Sequence, residues 1–312
     1  MTKPDELLQQ TIISEFVKAI VAEVKPWFKG LKDEFTFFRN DGLPKYLEKQ
    51  HKYSYIKTLL HRGAEAVYLY DIYQPLRLRF DKTVLDTNSI KELLKNKNYI
   101  TIIGDAGSGK SVLMKHLLLT SIREQAGIPM LIELRDLNNW KGSLEEYIKG
   151  KVTEHQLAPN ERITERLLEN GKFIFFLDGY DEIQSNVKKD ILISLNTFIE
   201  KYEKNKYLLT SRPYTNIDLL PLFKTYSIDR LSERDIEQFV KKQVKESEFV
   251  EKIMKSIKQG KAAYIKSFLT NPLLLSLYIL TFQSYSTIPD KKYLFYRRVI
   301  EALFSQHEVL ST

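Results

Sequence analysis

Between Leu7 and Leu31 apolar residues return every three or four positions, at Leu8, Ile12, Ile13, Phe16, Ile20, Val24 and Phe28. That spacing predicts an amphipathic helix, which Pro26 bends or ends. A second helical region is expected around Lys45–Tyr70, so residues 1–72 read as a helical domain or arm, with Trp27, Phe28, Phe35, Phe37 and Phe38 as core. The period then changes. Short apolar runs at Tyr99–Ile103, Met130–Leu134, Phe173–Leu177 and Tyr207–Thr210 are bounded by polar or turn residues and too brief for typical helices, which predicts buried strands. Helical stretches alternate with them at Ser111–Gln125, Leu144–His155, Thr164–Asn170 and Lys188–Tyr202. Strand and helix in alternation predict an α/β fold built on a doubly wound parallel sheet. From Ser232 onward the pattern is helical, with one start expected at Ser232 and another at Asn271-Pro272, because proline fits the first helical turn. No internal repeat with a period of about 20 to 50 residues is visible, which removes solenoids and propellers.

Composition narrows the chemistry. The chain of 312 residues carries 48 Lys+Arg against 40 Asp+Glu, a net charge of +8, and is 43% apolar. These values fit a folded globular protein of two or three domains. There is no cysteine, so disulfides, thiolate metal sites and cysteine nucleophiles are all excluded, in keeping with a reducing compartment. The longest apolar stretch, Pro272 to Phe282, is about half the roughly 20 residues that span a bilayer, and the charged N-terminus lacks the pattern of a secretory signal. A cytoplasmic protein with no transmembrane segment is expected. The basic residues are interspersed with acids, so a solvated surface is favoured over a nucleic acid partner.

Three motifs carry chemistry. Gly104-Asp105-Ala106-Gly107-Ser108-Gly109-Lys110-Ser111 satisfies the phosphate-loop pattern G-x-x-x-x-G-K-[ST], directly after a predicted strand and at the start of a predicted helix. In that setting successive backbone N–H groups face the phosphates, helped by the helix N-terminus. Lys110 reaches the β- and γ-phosphates and the Ser111 hydroxyl ligates Mg²⁺. The nucleotide-binding set thus runs from Gly104 through Val112. Second, Phe173-Ile174-Phe175-Phe176-Leu177 ends in Asp178-Gly179-Tyr180-Asp181-Glu182, a buried strand delivering a carboxylate at its C-terminal tip. Asp178 is expected to hold Mg²⁺, directly or through water. Either Asp181 or Glu182 could orient or deprotonate the attacking water, and the other could cap the next element. Third, Tyr207-Leu208-Leu209-Thr210-Ser211-Arg212-Pro213 places a guanidinium at a strand end, where it can report a γ-phosphate or serve as a structural ion pair.

Together with Ile128–Leu137 and Asn271-Pro272-Leu273, these motifs resemble a NACHT module, the nucleotide-binding switch of the STAND class of AAA+-related ATPases. The resemblance runs from about Tyr73 to His307. It implies that Lys110 and Ser111 are the Walker A lysine and hydroxyl, Asp178 the Walker B acid, Asp181 and Glu182 the acidic pair linked to hydrolysis, and Arg212 the sensor 1 arginine. It further implies that Pro272 packs on the adenine and that Tyr73, in the Tyr73–Leu78 segment, lines the base pocket. The implied domains are 1–72 helical, 73–229 nucleotide-binding α/β, 230–285 a helical subdomain, and 286–312 the start of a winged helix that is incomplete here. His307 lies too early to match the winged-helix histidine of the family.

The resemblance implies an ATPase with ATP/ADP and Mg²⁺ as cofactors, hydrolysing slowly as a signalling switch that oligomerises with nucleotide state, in bacterial antiphage or innate immune defence. Two other classes are weighed against it. A nucleic acid motor predicts rapid turnover stimulated by DNA or RNA with steep salt dependence. A non-hydrolysing interaction module predicts that loss of Asp181 or Glu182 changes nothing.

Overall fold

The computed structural model describes residues 4–61, 66–215, 220, 222–259, 263–289 and 291–309. In chain order, helix α1 (Pro4–Val24) passes into a 3-10 turn with Pro26 in its first turn, followed by α2 (Lys32–Phe37) and α3 (Leu43–Gln50). Next come β1 (Tyr55–Ile56), β2 (Val67–Tyr68), α4 (Leu69–Ile72), β3 (Arg77–Phe80), β4 (Thr83–Asp86) and α5 (Ile90–Leu93). The nucleotide motifs fall on β5 (Tyr99–Ile103), α6 (Lys110–Arg123), β6 (Ile128–Glu133), α7 (Leu144–Glu154), α8 (Glu161–Glu169), β7 (Phe173–Asp178), α9 (Lys188–Lys201) and β8 (Lys206–Ser211). After β9 (Lys224–Ile228) the chain is helical: α10 (Glu233–Gln243), α11 (Ser247–Gln259), α12 (Ala263–Leu269), α13 (Pro272–Tyr285) and α14 (Lys292–Val309).

The chain packs as two units. The first comprises Met1–Tyr53, Leu78–Gly104 and Lys110–Ser227; the second comprises Ser54–Arg77, Asp105–Gly109 and Ile228–Thr312. These units interleave along the sequence. The winged-helix start expected over 286–312 falls largely on α14, with residues 290 and 310–312 outside the described residues.

In the first unit the main sheet has the order β4-β3-β9-β5-β8-β7-β6, and the pairs β9-β5, β5-β8, β8-β7 and β7-β6 are parallel. This is the α/β fold expected, with helices between parallel strands. Its centre is dry: Phe173, Ile174, Phe175, Phe176 and Leu177 of β7 are all at most 1% exposed, as are Ile100 and Ile102 of β5 and Leu208 and Leu209 of β8. Such continuous apolar runs are what a strand covered on both faces requires. Asn205 fixes the start of β7, its Oδ1 accepting from the Phe173 N–H at 3.0 Å while its amide donates to the carbonyls of Leu168 and Tyr202.

The N-terminal helices belong to this unit. Ile13, Phe16, Ile20, Val24 and Phe28 are buried as the spacing predicts, whereas Leu8 is exposed. Tyr46 of α3 is buried and its hydroxyl donates to the Pro129 carbonyl of β6 at 2.6 Å. The second helical region expected around Lys45–Tyr70 is a correction: helix α3 stops at Gln50, and β1 pairs antiparallel with β2 in the second unit. Tyr55 and Tyr68 face each other across that pair with ring centroids 5.7 Å apart, a cross-strand aromatic contact that favours the extended backbone.

The second unit is otherwise helical. Ser232 caps α10 in a capping box with Asp235, and Asn271 caps α13 with Pro272 in the first turn, both as expected from sequence. No helix among the described residues is long and apolar enough to cross a membrane.

Candidate functional site

The C-terminal tips of the parallel strands gather the expected groups of the first unit. Strand β5 ends at Ile103, and the Gly104 N–H donates to the Ser211 carbonyl at the tip of β8, 3.1 Å away. Lys110 and Ser111 open α6, and the Lys110 ammonium donates to the Gly104 carbonyl at 2.7 Å. The lysine that closes the phosphate loop is thereby held over the residue that opens it. Val112 follows in the same helical turn.

Strand β7 delivers Asp178 half-buried at its last position. The Thr210 hydroxyl of β8 donates to Asp178 Oδ1 and in turn accepts from the Gly179 N–H at 2.8 Å. Thr210 is fully buried, so this one side chain joins two strand tips and orients the carboxylate. Gly179 has φ 81°, a left-handed turn that glycine adopts freely, and it swings the chain into the 3-10 turn Tyr180–Glu182. Sequence reasoning quoted Thr210 only as a polar end to a buried strand; a hydroxyl placed one strand away from the expected metal acid was the available signal.

Asp181 and Glu182 part company. Asp181 is 11% exposed and binds Arg212 twice: its Oδ1 accepts from the Arg212 N–H and its Oδ2 from Nε, both at 2.9 Å. Glu182 points its side chain, 45% exposed, toward Arg135, with Nη1 3.8 Å from Oε2. Arg135 also pairs with Glu133 at the end of β6. Asn138 fixes the backbone here, donating to the Glu182 carbonyl at 3.0 Å and accepting from the Gln184 N–H at 2.8 Å. Neither Arg135 nor Asn138 was singled out from sequence.

A Mg²⁺ ion takes hard oxygen ligands, and the Asp178 carboxylate with the Ser111 hydroxyl are donors of that kind. The Thr210 bond occupies one carboxylate oxygen, which fixes the other in direction. The donor set therefore fits the ion. When bound, it would supply positive charge against the negative charge of the phosphates.

In the second unit the loop Asp105–Gly109 meets the start of α13. The Asn271 side chain donates to the Ala106 carbonyl at 3.1 Å and the Leu273 N–H to the Gly107 carbonyl at 3.2 Å. Gly107 has φ +74°, and a Cβ there would lie 2.4 Å from Leu273 Cβ, so glycine is required by both conformation and space. A cavity of about 370 Å³ opens beside this junction, lined by Asp105, Ala106 and Ser108 of the loop, Asp229 and Arg230, and Asn271 and Pro272 among others. Pro272 is thus brought beside the loop. Tyr73 is 5% exposed and is not among the residues lining that cavity; its carbonyl accepts from the Lys242 ammonium at 2.6 Å. The Leu76 side chain, from the same segment, comes to 3.1 Å of where a Gly109 Cβ would be.

An uncharacterized WD repeat-containing protein of Nostoc sp. is 27% identical over 109 residues, which are 31% of this chain and 7% of that protein, so the chain spans only a small part of its relative's length. Among solved structures, domain III of the replication initiation protein DnaA from Thermotoga maritima is similar at 14% identity and a TM-score of 0.41, over 69% of this chain and 88% of that one. The structure of C. elegans PCH-2 is similar at 15% identity and a TM-score of 0.38, over 69% of this chain and 63% of that one. Residues 98–247 match the NACHT domain, a span holding the phosphate loop, Asp178, Asp181, Glu182 and Arg212 but ending before Asn271 and Pro272. The segment 98–247 is a NACHT domain, a P-loop NTPase module.

Proposed function

We propose that this protein is an ATP/ADP-dependent signalling switch, in which slow ATP hydrolysis with Mg²⁺ resets a conformational change that drives self-association. The observation carrying this reading is the junction between the phosphate loop and α13. Two loop carbonyls are bonded to the first residues of a helix, so a shift in the loop on binding nucleotide changes what that helix can bond. A switch needs such a link, because a nucleotide moves an equilibrium only by binding its two conformations with different affinity. Lys110 and the loop N–H groups would hold the phosphates, Ser111 and Asp178 the metal ion, and Arg212 the γ-phosphate. Pro272, beside the loop in the 370 Å³ cavity, would meet the base, and Tyr73 would support the base pocket from within the fold. Resemblance to NACHT modules supports a cytoplasmic role in bacterial antiphage defence, with the N-terminal helices as an effector or adaptor part.

The test is to purify the protein, identify any nucleotide that comes with it, and measure particle mass with ADP and with a non-hydrolysable ATP analogue. Tightly held ADP and a mass that changes with nucleotide are expected. Fast turnover stimulated by DNA or RNA would instead identify a motor. Lys110→Ala is expected to bind either nucleotide at least about tenfold more weakly, since it removes a charge-assisted contact of about 1.5 to 3 kcal/mol. Unchanged affinity in that variant would overturn the site.

A further inference from the structure

We propose that a cavity among the N-terminal helices is a binding site for a small organic monoanion, a molecule with an apolar body and a single carboxylate or similar head. The cavity lies wholly within the first unit and shares no residue with the nucleotide site, so the proposal goes beyond the switch reading and stands without it.

Two helices and a turn build the space. Helix α1 supplies Ile13, Ser14, Val17 and Lys18, whose spacing of three to five residues puts them on one helical face. Helix α3 supplies Pro44 and Glu48, one turn apart, and Arg39 comes from the π turn Phe38–Gly42 that leads into α3. The volume between them is about 540 Å³. Sites for small molecules run from about 300 to 1,000 Å³ and often lie between helices. The floor is apolar, with Ile13 buried and Val17 and Pro44 half-buried, so an apolar body placed there removes further hydrocarbon surface from water.

The rim sets the charge of the ligand. Lys18 and Arg39 are exposed, and neither side chain has an ion pair or a hydrogen bond among the described residues. Glu48 is the one acid among the residues lining the cavity. Two positive charges against one negative leave a surplus of one, which suits a single anionic head and disfavours a cation or a dianion. The fork of Arg39 matches the two oxygens of a carboxylate, while Lys18 adds a point charge.

The support of Arg39 is the second observation. A π turn is rare and recurs at functional sites. This one is fixed on both sides: Phe38 and Leu43 are fully buried, and a Cβ on Gly42 would lie 2.4 Å from the Leu157 carbonyl oxygen, in the chain that follows α7. An arginine carried on so constrained a backbone loses little freedom when it pairs with a ligand.

The test titrates the full chain by calorimetry with decanoate, kept below the concentration at which it forms micelles, with octyl glucoside as a neutral amphiphile and with phosphatidylglycerol vesicles as a membrane control. One saturable site for decanoate is expected, and octyl glucoside should bind at least about tenfold more weakly, because it lacks the charge-assisted contacts. Arg39→Ala should lose about tenfold in decanoate affinity and Lys18→Ala about threefold, whereas Glu48→Gln should gain about twofold. Ser14→Trp, at an exposed position, should abolish binding by filling the space. Thermal melting followed by circular dichroism checks that each variant folds; should Arg39→Ala fail, Ser14→Trp and the octyl glucoside comparison decide. Unchanged decanoate affinity in Ser14→Trp, equal affinity for the two amphiphiles, or no saturable heat from decanoate would overturn the proposal. Binding to the vesicles with none to free decanoate would overturn it as well, and would mark a membrane surface instead.

Discussion

The strand tips of the first unit and the loop-helix junction of the second hold their functional groups by different means. At the tips of β7 and β8, side chains do the holding: Thr210 ties Asp178 to Gly179, and Asp181 ties Arg212, all at or just past the ends of strands whose interiors are buried. At the junction the loop is held through main-chain carbonyls, by Asn271 and the Leu273 N–H at the head of α13. The first arrangement fixes chemistry on a frame that owes its stability to packing. The second makes the loop's shape depend on a helix, which is the property of a moving part.

The strongest way to break the junction is Gly107→Ala. The added methyl collides with Leu273 and occupies a left-handed conformation, so a cost of about 2 to 5 kcal/mol is expected from overpacking and backbone strain together. Nucleotide titration calorimetry should show affinity falling at least tenfold, with a smaller change in the melting of the sheet. Acid sharpens the contrast from the other side. Burial holds His116 of α6 well below its ordinary value, at about 4, against the pull of its bond to the Thr87 carbonyl. Between pH 6.5 and 4 the unfolded chain then binds a proton that the folded one does not. Stability conferred by this unit is complete above pH 6.5 and falls toward pH 4, by up to about 3 kcal/mol. Urea unfolding across that range should show the slope, and His116→Gln should flatten it.

Thr210→Val tests the strand tips directly. The isosteric change leaves the Gly179 N–H without its acceptor and Asp178 without its donor, at a cost of about 1 to 3 kcal/mol. Hydrolysis should fall while binding of nucleotide in the absence of magnesium changes little, as kinetics with and without the metal would show. The smallest effect is expected of Asn271→Ala, which removes a helix cap worth about 1 kcal/mol together with the bond to the Ala106 carbonyl. If the junction is the moving part, that modest substitution should nevertheless alter the difference between ATP and ADP affinity, and an unchanged difference would count against it.

The same contrast explains how much could be read from sequence. Strands β5, β6, β7 and β8 announced themselves because burial on both faces demands unbroken apolar runs. Strands β3 and β4 did not, since Arg77-Leu78-Arg79-Phe80 and Thr83–Asp86 lie at the sheet's margin and are mostly exposed or half-exposed, with no apolar run to see. The acids at the tip of β7 were legible as a group, but their roles were not: which of Asp181 and Glu182 faces Arg212 depends on the left-handed turn at Gly179, a matter of direction that spacing does not carry. Tyr73, expected to line the base pocket, is buried in a segment from Ile72 to Gln74 that side chains of α10 hold, Lys242 and Gln243 among them, an arrangement spacing alone does not carry.

Pro129 gives β6 a consequence of its own. The strand ends the sheet, proline offers no N–H there, and its carbonyl is already engaged by Tyr46. At that position the border of the sheet offers a foreign strand neither a donor nor a free acceptor, and a fragment shorn of α3 would uncover the Pro129 carbonyl there.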